Sequence, residues 1–185
     1  MILPVYVYGQ TVLKQPGRLV VSDEMEEIRK LVEQMWDTMY KSHGVGLAAH
    51  QIGQALKLFI VDTVQLNENE DNKGIKKVFI NAEILREEGE IVSIEEGCLS
   101  FPDLRGKIER PSVVTIRYQD MDLMVHEETY DGFDARVIQH EYDHTLGTLF
   151  IEKFNPLKKR LLKSRLEKIK SGQVQADYPV KVSRR

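Results

Sequence analysis

The chain has 185 residues, of which 42% are hydrophobic and 30% charged, and its formal net charge at pH 7 is −3. These values are typical of one globular domain, and they exclude a low-complexity chain. No apolar run approaches the roughly 20 residues of a membrane span, the first residues lack a secretion signal, and one cysteine excludes an internal disulfide, so we expect a cytoplasmic protein.

A first helix is predicted after an irregular N-terminal arm of twenty residues. Asp23 and Glu26 resemble a capping box at its start, and Gly44 is a plausible end. Apolar side chains recur at the spacing of one helical face: Ile28, Leu31, Val32, Met35, Trp36, Met39 and Tyr40. We expect this face to pack against the core.

Short strands are predicted in the middle of the chain. They cover residues 58–61, 78–80, 91–94, 113–118 and 123–125, and the last two form a hairpin. The polar residues 63–76 are predicted to form a loop. Strands between one early helix and two late helices predict an α+β domain.

The most informative motif is H-E-x-x-H at residues 140–144, in a segment that we expect to be helical from Gly132 to Gly147. Residues four apart lie on one face of a helix, so His140 and His144 can bind one metal ion. Glu141 then reaches a water molecule on that ion. With only five histidines in the chain, coincidental spacing on a buried helix is the weaker interpretation.

A last helix is predicted to begin with Asn155 as its cap and Pro156 as its first residue. Its expected apolar side consists of Leu157, Leu161, Leu162, Leu166 and Ile169. Residues 156–185 contain ten Lys or Arg and two acidic residues, a net charge of +8, which leaves −11 on the remainder. Such asymmetry marks either contact with a polyanion or a solvated helical face.

A catalytic metal needs a ligand beyond the two histidines. A metzincin protease would place a third histidine where this chain has Phe150, which cannot bind a metal, and a gluzincin would use a later glutamate such as Glu167. The other candidate is Cys98, which follows Gly97 after a predicted strand and could serve as a thiolate ligand.

Three segments together resemble the motifs of bacterial peptide deformylases. Residues 44–51 read G-V-G-L-A-A-H-Q, residues 96–100 read E-G-C-L-S, and residues 139–144 read Q-H-E-Y-D-H. The resemblance predicts a catalytic domain at 1–155, with a basic helix and tail of the same domain at 156–185. It implies an α+β fold in which antiparallel or mixed sheets pack around the central motif helix, with N-terminal and C-terminal helices.

The resemblance also implies the site and the reaction. Cys98, His140 and His144 would hold the metal, expected to be Fe²⁺ although Zn²⁺ or Ni²⁺ can occupy such a site. Glu141 would transfer the proton of the attacking water, and the Gln51 amide with the Leu99 N–H would stabilise the oxyanion. The substrate would be N-formyl-methionine of a nascent chain, with formate released. The expected substrate-facing residues are Val45, Gly46, Ile94, Gly97, Arg105, Phe133 and Val137, together with the His140 ring.

Some positions depart from the family pattern. Residues 9–14 read G-Q-T-V-L-K where many members read G-x-P-x-L-R, and Arg136 stands at a motif-helix position that is apolar in some members. These departures concern subtype and fine specificity. Asp143 is expected either at the surface or beside a group that orients the site.

The sequence also bears on two alternative functions and on one partner. Phe150 argues against a zinc endopeptidase of the H-E-x-x-H type, and His43, His50 and His126 lack the spacing of ligands in a closed structural zinc site. Some deformylases dock a basic C-terminal helix on the ribosome. For residues 156–185 this contact and a merely solvated face both stay open.

Overall fold

The computed structural model describes residues 1–66 and 74–183, so most of the predicted 63–76 loop, and Arg184 and Arg185 of the basic segment, lie outside the described residues. The described helices are α1 (Met25–Lys41), α2 (Gly132–Thr145) and α3 (Pro156–Lys170). The described strands are β1 (Val5–Tyr6), β2 (Gly46–Ala48), β3 (Leu58–Asp62), β4 (Lys76–Gly97), β5 (Arg105–Gln119), β6 (Val125–Asp131) and β7 (Val180–Lys181).

Five of these strands form one antiparallel sheet in the order β2-β3-β4-β5-β6. The N-terminal arm is more regular than predicted, because β1 pairs with β7 in a separate two-stranded parallel sheet. Sheets combined with N-terminal, central and C-terminal helices confirm the predicted α+β fold.

β4 corrects the prediction of two separate strands at 78–80 and 91–94. The backbone continues through the charged residues between them and pairs with β5, with register shifts between Ile80 and Glu83, Ile84 and Arg86, and Glu88 and Ile91. Ladder hydrogen bonds join backbone groups, so exposed charged side chains do not interrupt the strand.

The ends of α1 also differ from the prediction. A short 3-10 helix at Ser22–Glu24 precedes it, and the Glu24 carboxylate, not Asp23, accepts a hydrogen bond from the Val21 N–H at 3.0 Å. The helix ends at Lys41 rather than near Gly44. His43 takes the left-handed conformation (φ 56°) that ends many helices, and the Gly44 N–H donates to the Met39 carbonyl at 2.9 Å.

The two faces of the sheet are covered by different helices. Leu58, Ile60 and Ile80 pack in one cluster with α1, whereas Phe59 and Phe79 pack in another with α2. This division follows from the alternation of side chains along a strand. The motif helix α2 is therefore held against the sheet, where its polar residues can be fixed by their neighbours.

α3 begins as predicted, because the Asn155 side chain accepts from the Lys158 N–H at 2.8 Å and Pro156 is the first helical residue. Its predicted apolar side is only partly correct. Ile169 is buried, but Leu157 and Leu161 are 68% and 75% exposed because α3 lies at the surface. Among the described residues, no helix combines the length and apolar character that crossing a membrane requires.

Candidate metal centre

Three potential metal ligands lie together where the end of β4 meets α2. The ligand atoms of Cys98, His140 and His144 are all within 4.8 Å of one another, and Cys98 Sγ lies 3.3 Å from His144 Nε2. Burial lowers the pKa of His144 well below its usual value, which keeps the imidazole neutral. One thiol and two imidazoles fit a divalent transition metal such as iron, zinc or nickel.

Glu96 orients the first histidine. Its Oε2 lies 2.9 Å from His140 Nδ1, which leaves Nε2 of that ring to face the cluster. Burial opposes the charge of Glu96, but hydrogen bonds from His140 and Arg110 outweigh burial and hold its pKa well below the usual range. Glu96 was not among the predicted site residues. The available signal was its place in the E-G-C-L-S motif, two residues before the predicted ligand Cys98.

A buried ionic network supports Glu96 from behind. Arg110 binds its carboxylate through Nε at 2.7 Å and Nη2 at 3.0 Å, and Arg136 Nη1 adds a bond at 2.9 Å. Arg110 Nη1 also donates to Asp143 Oδ2 at 2.7 Å, and Lys153 lies 3.3 Å from the same oxygen. Of the two predicted positions for Asp143, the structure shows the one inside the network. There Asp143 binds Arg110, which in turn binds the orienting residue Glu96.

Glu141 is buried beside Gly46 in β2. A β-carbon at position 46 would lie 2.6 Å from Glu141 Oε1, so glycine leaves the space that this carboxylate occupies. Burial raises the pKa of Glu141 to about 7, with the charge of His140 opposing the shift. Within the described residues its Oε2 accepts no hydrogen bond.

Gln51 presents a fixed donor to the site. Its Oε1 accepts from the Ala48 N–H at 2.8 Å, and its Nε2 lies 3.5 Å from Cys98 Sγ. Because the oxygen is occupied by the backbone, the amide nitrogen faces the cluster.

Leu99, directly after Cys98, is held by a residue that the sequence analysis did not single out. Its carbonyl accepts from the Tyr178 hydroxyl at 2.9 Å. Burial raises the pKa of Tyr178, so the hydroxyl remains a donor at neutral pH. No motif marks the C-terminal tail, and the two residues are 79 positions apart, so this contact could be identified only from the folded structure.

Two cavities meet at the cluster. The smaller, about 250 Å³, includes the following predicted residues in its lining: Val45, Ile94, Gly97, Arg105, Phe133, Val137, His140 and Glu141. The larger, about 470 Å³, is lined in part by Gly46, Gln51, Cys98, Leu99 and Tyr178. Arg105 is exposed at the rim, with Nη1 3.9 Å from Glu95 Oε2. The structure thus brings every predicted substrate-facing residue to one continuous cleft.

Four other residues named in the sequence prediction do not join the cluster. The Phe150 ring packs 5.7 Å from the His140 ring, centroid to centroid, but carries no ligand atom, and Glu167 is exposed on α3. His50 binds the Gln15 carbonyl at 3.0 Å, and His126 binds Asp120 at 2.6 Å. In the described ranges no fourth Cys, His, Asp or Glu joins the cluster.

Comparison with known proteins gives one consistent result. The profile of the polypeptide deformylase family matches residues 2–160. A peptide deformylase of Flavobacterium johnsoniae is 43% identical over 189 residues, covering 98% of this chain and 96% of that one. The crystal structure of a Legionella pneumophila peptide deformylase superposes with a TM-score of 0.81 at 34% identity, covering 94% and 98% of the two chains. The Met-ala-ser-bound structure of the Acinetobacter baumannii class I type b enzyme gives a TM-score of 0.76 at 34% identity, covering 83% and 99%.

Proposed function

The chain belongs to the polypeptide deformylase family, and from this membership we propose how its own residues perform the family's reaction. That reaction is metal-dependent hydrolysis of the formyl amide of N-formyl-methionine at the start of nascent peptides. Membership favours it over cleavage of internal peptide bonds by a zinc endopeptidase. The roles below are derived from the geometry of the cleft.

Cys98, His140 and His144 would hold the metal, with Fe²⁺ as the working ion. The ligand atoms lie within 4.8 Å of one another, and a thiolate with two imidazoles suits iron, zinc and nickel alike. When bound, the ion would supply Lewis-acid chemistry for the formyl carbonyl and for the attacking water.

Glu141 moves the proton. Its carboxylate takes a proton from the attacking water and delivers it to the departing amine as the C–N bond breaks, which releases formate and a free N-terminus. Burial raises the pKa of this carboxylate above its usual value, which favours uptake of the water proton.

Gln51 and Leu99 stabilise the oxyanion. The Gln51 amide is fixed by its bond from Ala48, so its Nε2–H can donate to the formyl oxygen without reorganising. Leu99 lines the same cleft, and its backbone N–H would supply the second donor.

The methionine side chain would enter the smaller cavity. Val45, Ile94, Phe133 and Val137 give that cavity apolar walls, with Arg105 at the rim. The Acinetobacter relative is a Met-ala-ser complex, which supports an N-terminal methionine as occupant here.

One observation carries this proposal: the three ligand-type residues, Glu141 and Gln51 converge at one cleft. The test is formate release from formyl-Met-Ala-Ser by the anaerobically prepared Fe²⁺ protein, beside its Glu141→Ala variant. We expect release by the parent and a near-complete loss in the variant. A folded, metal-loaded parent that releases no formate would refute the proposal, and cleavage of internal bonds would then be assayed.

We further propose that the C-terminal segment belongs to the same domain and contacts the ribosome in the cytoplasm. Ile169 of α3 is buried with Val7 and Leu13 of the arm, and β7 pairs with β1. The opposite, exposed side of α3 is basic, as a surface for ribosomal RNA must be.

A further inference from the structure

Arg136 is a buried arginine on α2, one helical turn before His140. It is 4% exposed, and its guanidinium donates in three directions. Nη1 binds Glu96 Oε1 and the Ile108 carbonyl, both at 2.9 Å, and Nη2 binds the Val92 carbonyl at 2.5 Å. One side chain of α2 thus reaches the backbone of β4 and that of β5.

The segments of β4 and β5 that Arg136 binds pair with each other and with no other described strand. β3 pairs with β4 only at residues 76–80, and β6 pairs with β5 only at 113–119. Residues 91–97 and 105–111 therefore form a two-stranded ribbon that extends beyond the rest of the sheet. Arg136 joins both strands of this ribbon to α2.

The ribbon and α2 are the two walls of the smaller cavity. Ile94 and Gly97 line it from the ribbon, and Phe133 and Val137 line it from α2. Arg136 lines the same cavity between them. Any change in how far the ribbon stands from α2 therefore changes the width of this cavity.

Because Glu96 is bound by two arginines, two roles of Arg136 can be distinguished: balancing the charge of Glu96 and binding the backbone of the ribbon. Arg110 already makes two hydrogen bonds to the Glu96 carboxylate, so Arg136 is not required to balance that charge. What Arg136 alone supplies is the pair of bonds to the Val92 and Ile108 carbonyls. An apolar residue at this position would leave both carbonyls without that donor, which destabilises the ribbon where these acceptors stay buried.

We propose that Arg136 is a positioning and specificity-determining residue, which holds the β4–β5 ribbon against α2 and so sets the width of the pocket for the methionine side chain. The inference rests on the proposed function. Because one methylene in an apolar pocket changes kcat/KM about 10–200-fold, a small relaxation of the ribbon is visible as lost discrimination between substrate side chains.

The test compares Arg136→Met and Arg136→Lys with the control Arg110→Met. Arg110→Met also removes a positive charge from Glu96, and it removes a bond from β5 to Asp143 of α2, but it leaves the Val92 and Ile108 carbonyls their donor, and Arg110 does not line the cavity. Each protein is assayed with formyl-Met-Ala-Ser and formyl-Val-Ala-Ser, and its metal affinity is measured by competition with a chelator. Circular dichroism and thermal melting establish that each variant is folded.

For Arg136→Met we expect the Met-to-Val ratio of kcat/KM to fall about tenfold, with most of the loss for formyl-Met-Ala-Ser in KM. Arg136→Lys should give an intermediate ratio, because lysine reaches fewer acceptors. Arg110→Met should weaken metal binding and lower the ratio less than Arg136→Met, because the Val92 and Ile108 carbonyls keep their donor.

The inference would be overturned if folded Arg136→Met kept a Met-to-Val ratio of kcat/KM within twofold of the parent. It would also be overturned if Arg110→Met showed an equal fall in that ratio. If Arg136→Met does not fold, the ratio of Arg136→Lys decides by the same criterion. A parent that releases no formate would refute the proposed function itself, whereas an active parent with unchanged ratios in the variants would refute only the role of Arg136.

Discussion

The carboxylate of Glu96 lies 2.9 Å from Nδ1 of His140, and this contact joins the end of β4, directly before Cys98, to the helix that carries both histidines. The candidate metal ligand His140 is therefore oriented by a carboxylate that lies outside the ligand cluster. Such carboxylate–histidine contacts fix the tautomer and the direction of the ligating ring.

Glu96→Gln should weaken metal binding about 10–100-fold, because the uncharged amide cannot accept from His140 and both arginines equally well. Competition of the loaded protein with a chelator measures this loss. Glu95→Gln is the matched control, since Glu95 is exposed and precedes Glu96 in the same strand. Equal metal affinity in the two variants would contradict an orienting role for Glu96.

Gln51→Glu should lower kcat about 10²–10³-fold with little change in KM. A glutamate at this position can still accept from the Ala48 N–H, so the local backbone keeps its bond, but the donor to the formyl oxygen is lost. Gln51→Ala removes both the acceptor and the donor. Comparing the two variants therefore separates the effect of losing the donor from the effect of losing the bond with the Ala48 N–H. The oxyanion role fails if Gln51→Glu turns over at the parent rate.

The local parts of the site were predictable from the sequence because they depend on spacing. His140 and His144 lie on one face of a helix whatever the rest of the fold, and Asn155 with Pro156 marks a helix start by local hydrogen bonding. Leu157 and Leu161 show the limit of this reasoning, because periodicity does not reveal whether a helix has core on that side.

The residues that support the candidate metal ligands could be identified only from the folded structure. Arg110 and Arg136 reach Glu96 across 14 and 40 residues, and nothing in the order of charges along the chain says which arginine binds which carboxylate. Tyr178 is the extreme case, since its partner Leu99 belongs to a motif and Tyr178 itself does not.

The iron-loaded enzyme should lose activity in air, whereas the same protein loaded with zinc should not. Oxygen oxidises Fe²⁺ and thereby exposes the Cys98 thiolate to oxidation. Activity is followed during aerobic incubation for both metal forms prepared from one batch, and mass spectrometry reports the oxidation state of Cys98. Full activity of the iron form after prolonged exposure would be evidence against Fe²⁺ as the working ion.

Glu128, outside the active site, should contribute stability that depends on pH. Burial opposes its charge, but hydrogen bonds from Lys77, Tyr130 and Tyr118 lower its pKa to about 2. Since the folded pKa lies below the unfolded value of about 4.3, the stabilisation is complete above that value and is lost as pH falls toward 2. The difference in Tm between the parent and Glu128→Gln should therefore narrow as pH falls from 5 to 3. A difference that stays constant over this range would show that the carboxylate charge is not the cause.

The basic side of α3 should govern association with ribosomes without affecting the chemistry. Arg160, Lys163 and Lys168 line one surface depression that shares no residue with either cavity of the cleft. Replacing all three by glutamate should weaken ribosome binding, and the slope of log affinity against log salt should fall by about one for each phosphate that the variant no longer neutralises. Release of formate from formyl-Met-Ala-Ser should stay at the parent rate.

Point variants test this surface better than truncation does. Deleting residues 156–185 would also remove Ile169 from the core and Tyr178 from Leu99, so a loss of binding could reflect damage to the fold. Lys30→Glu on α1, at a side chain 70% exposed, controls for the general effect of removing positive charge. If the triple variant binds ribosomes as tightly as the Lys30→Glu control, with the same salt dependence, the charges on α3 serve only to solvate an exposed helix.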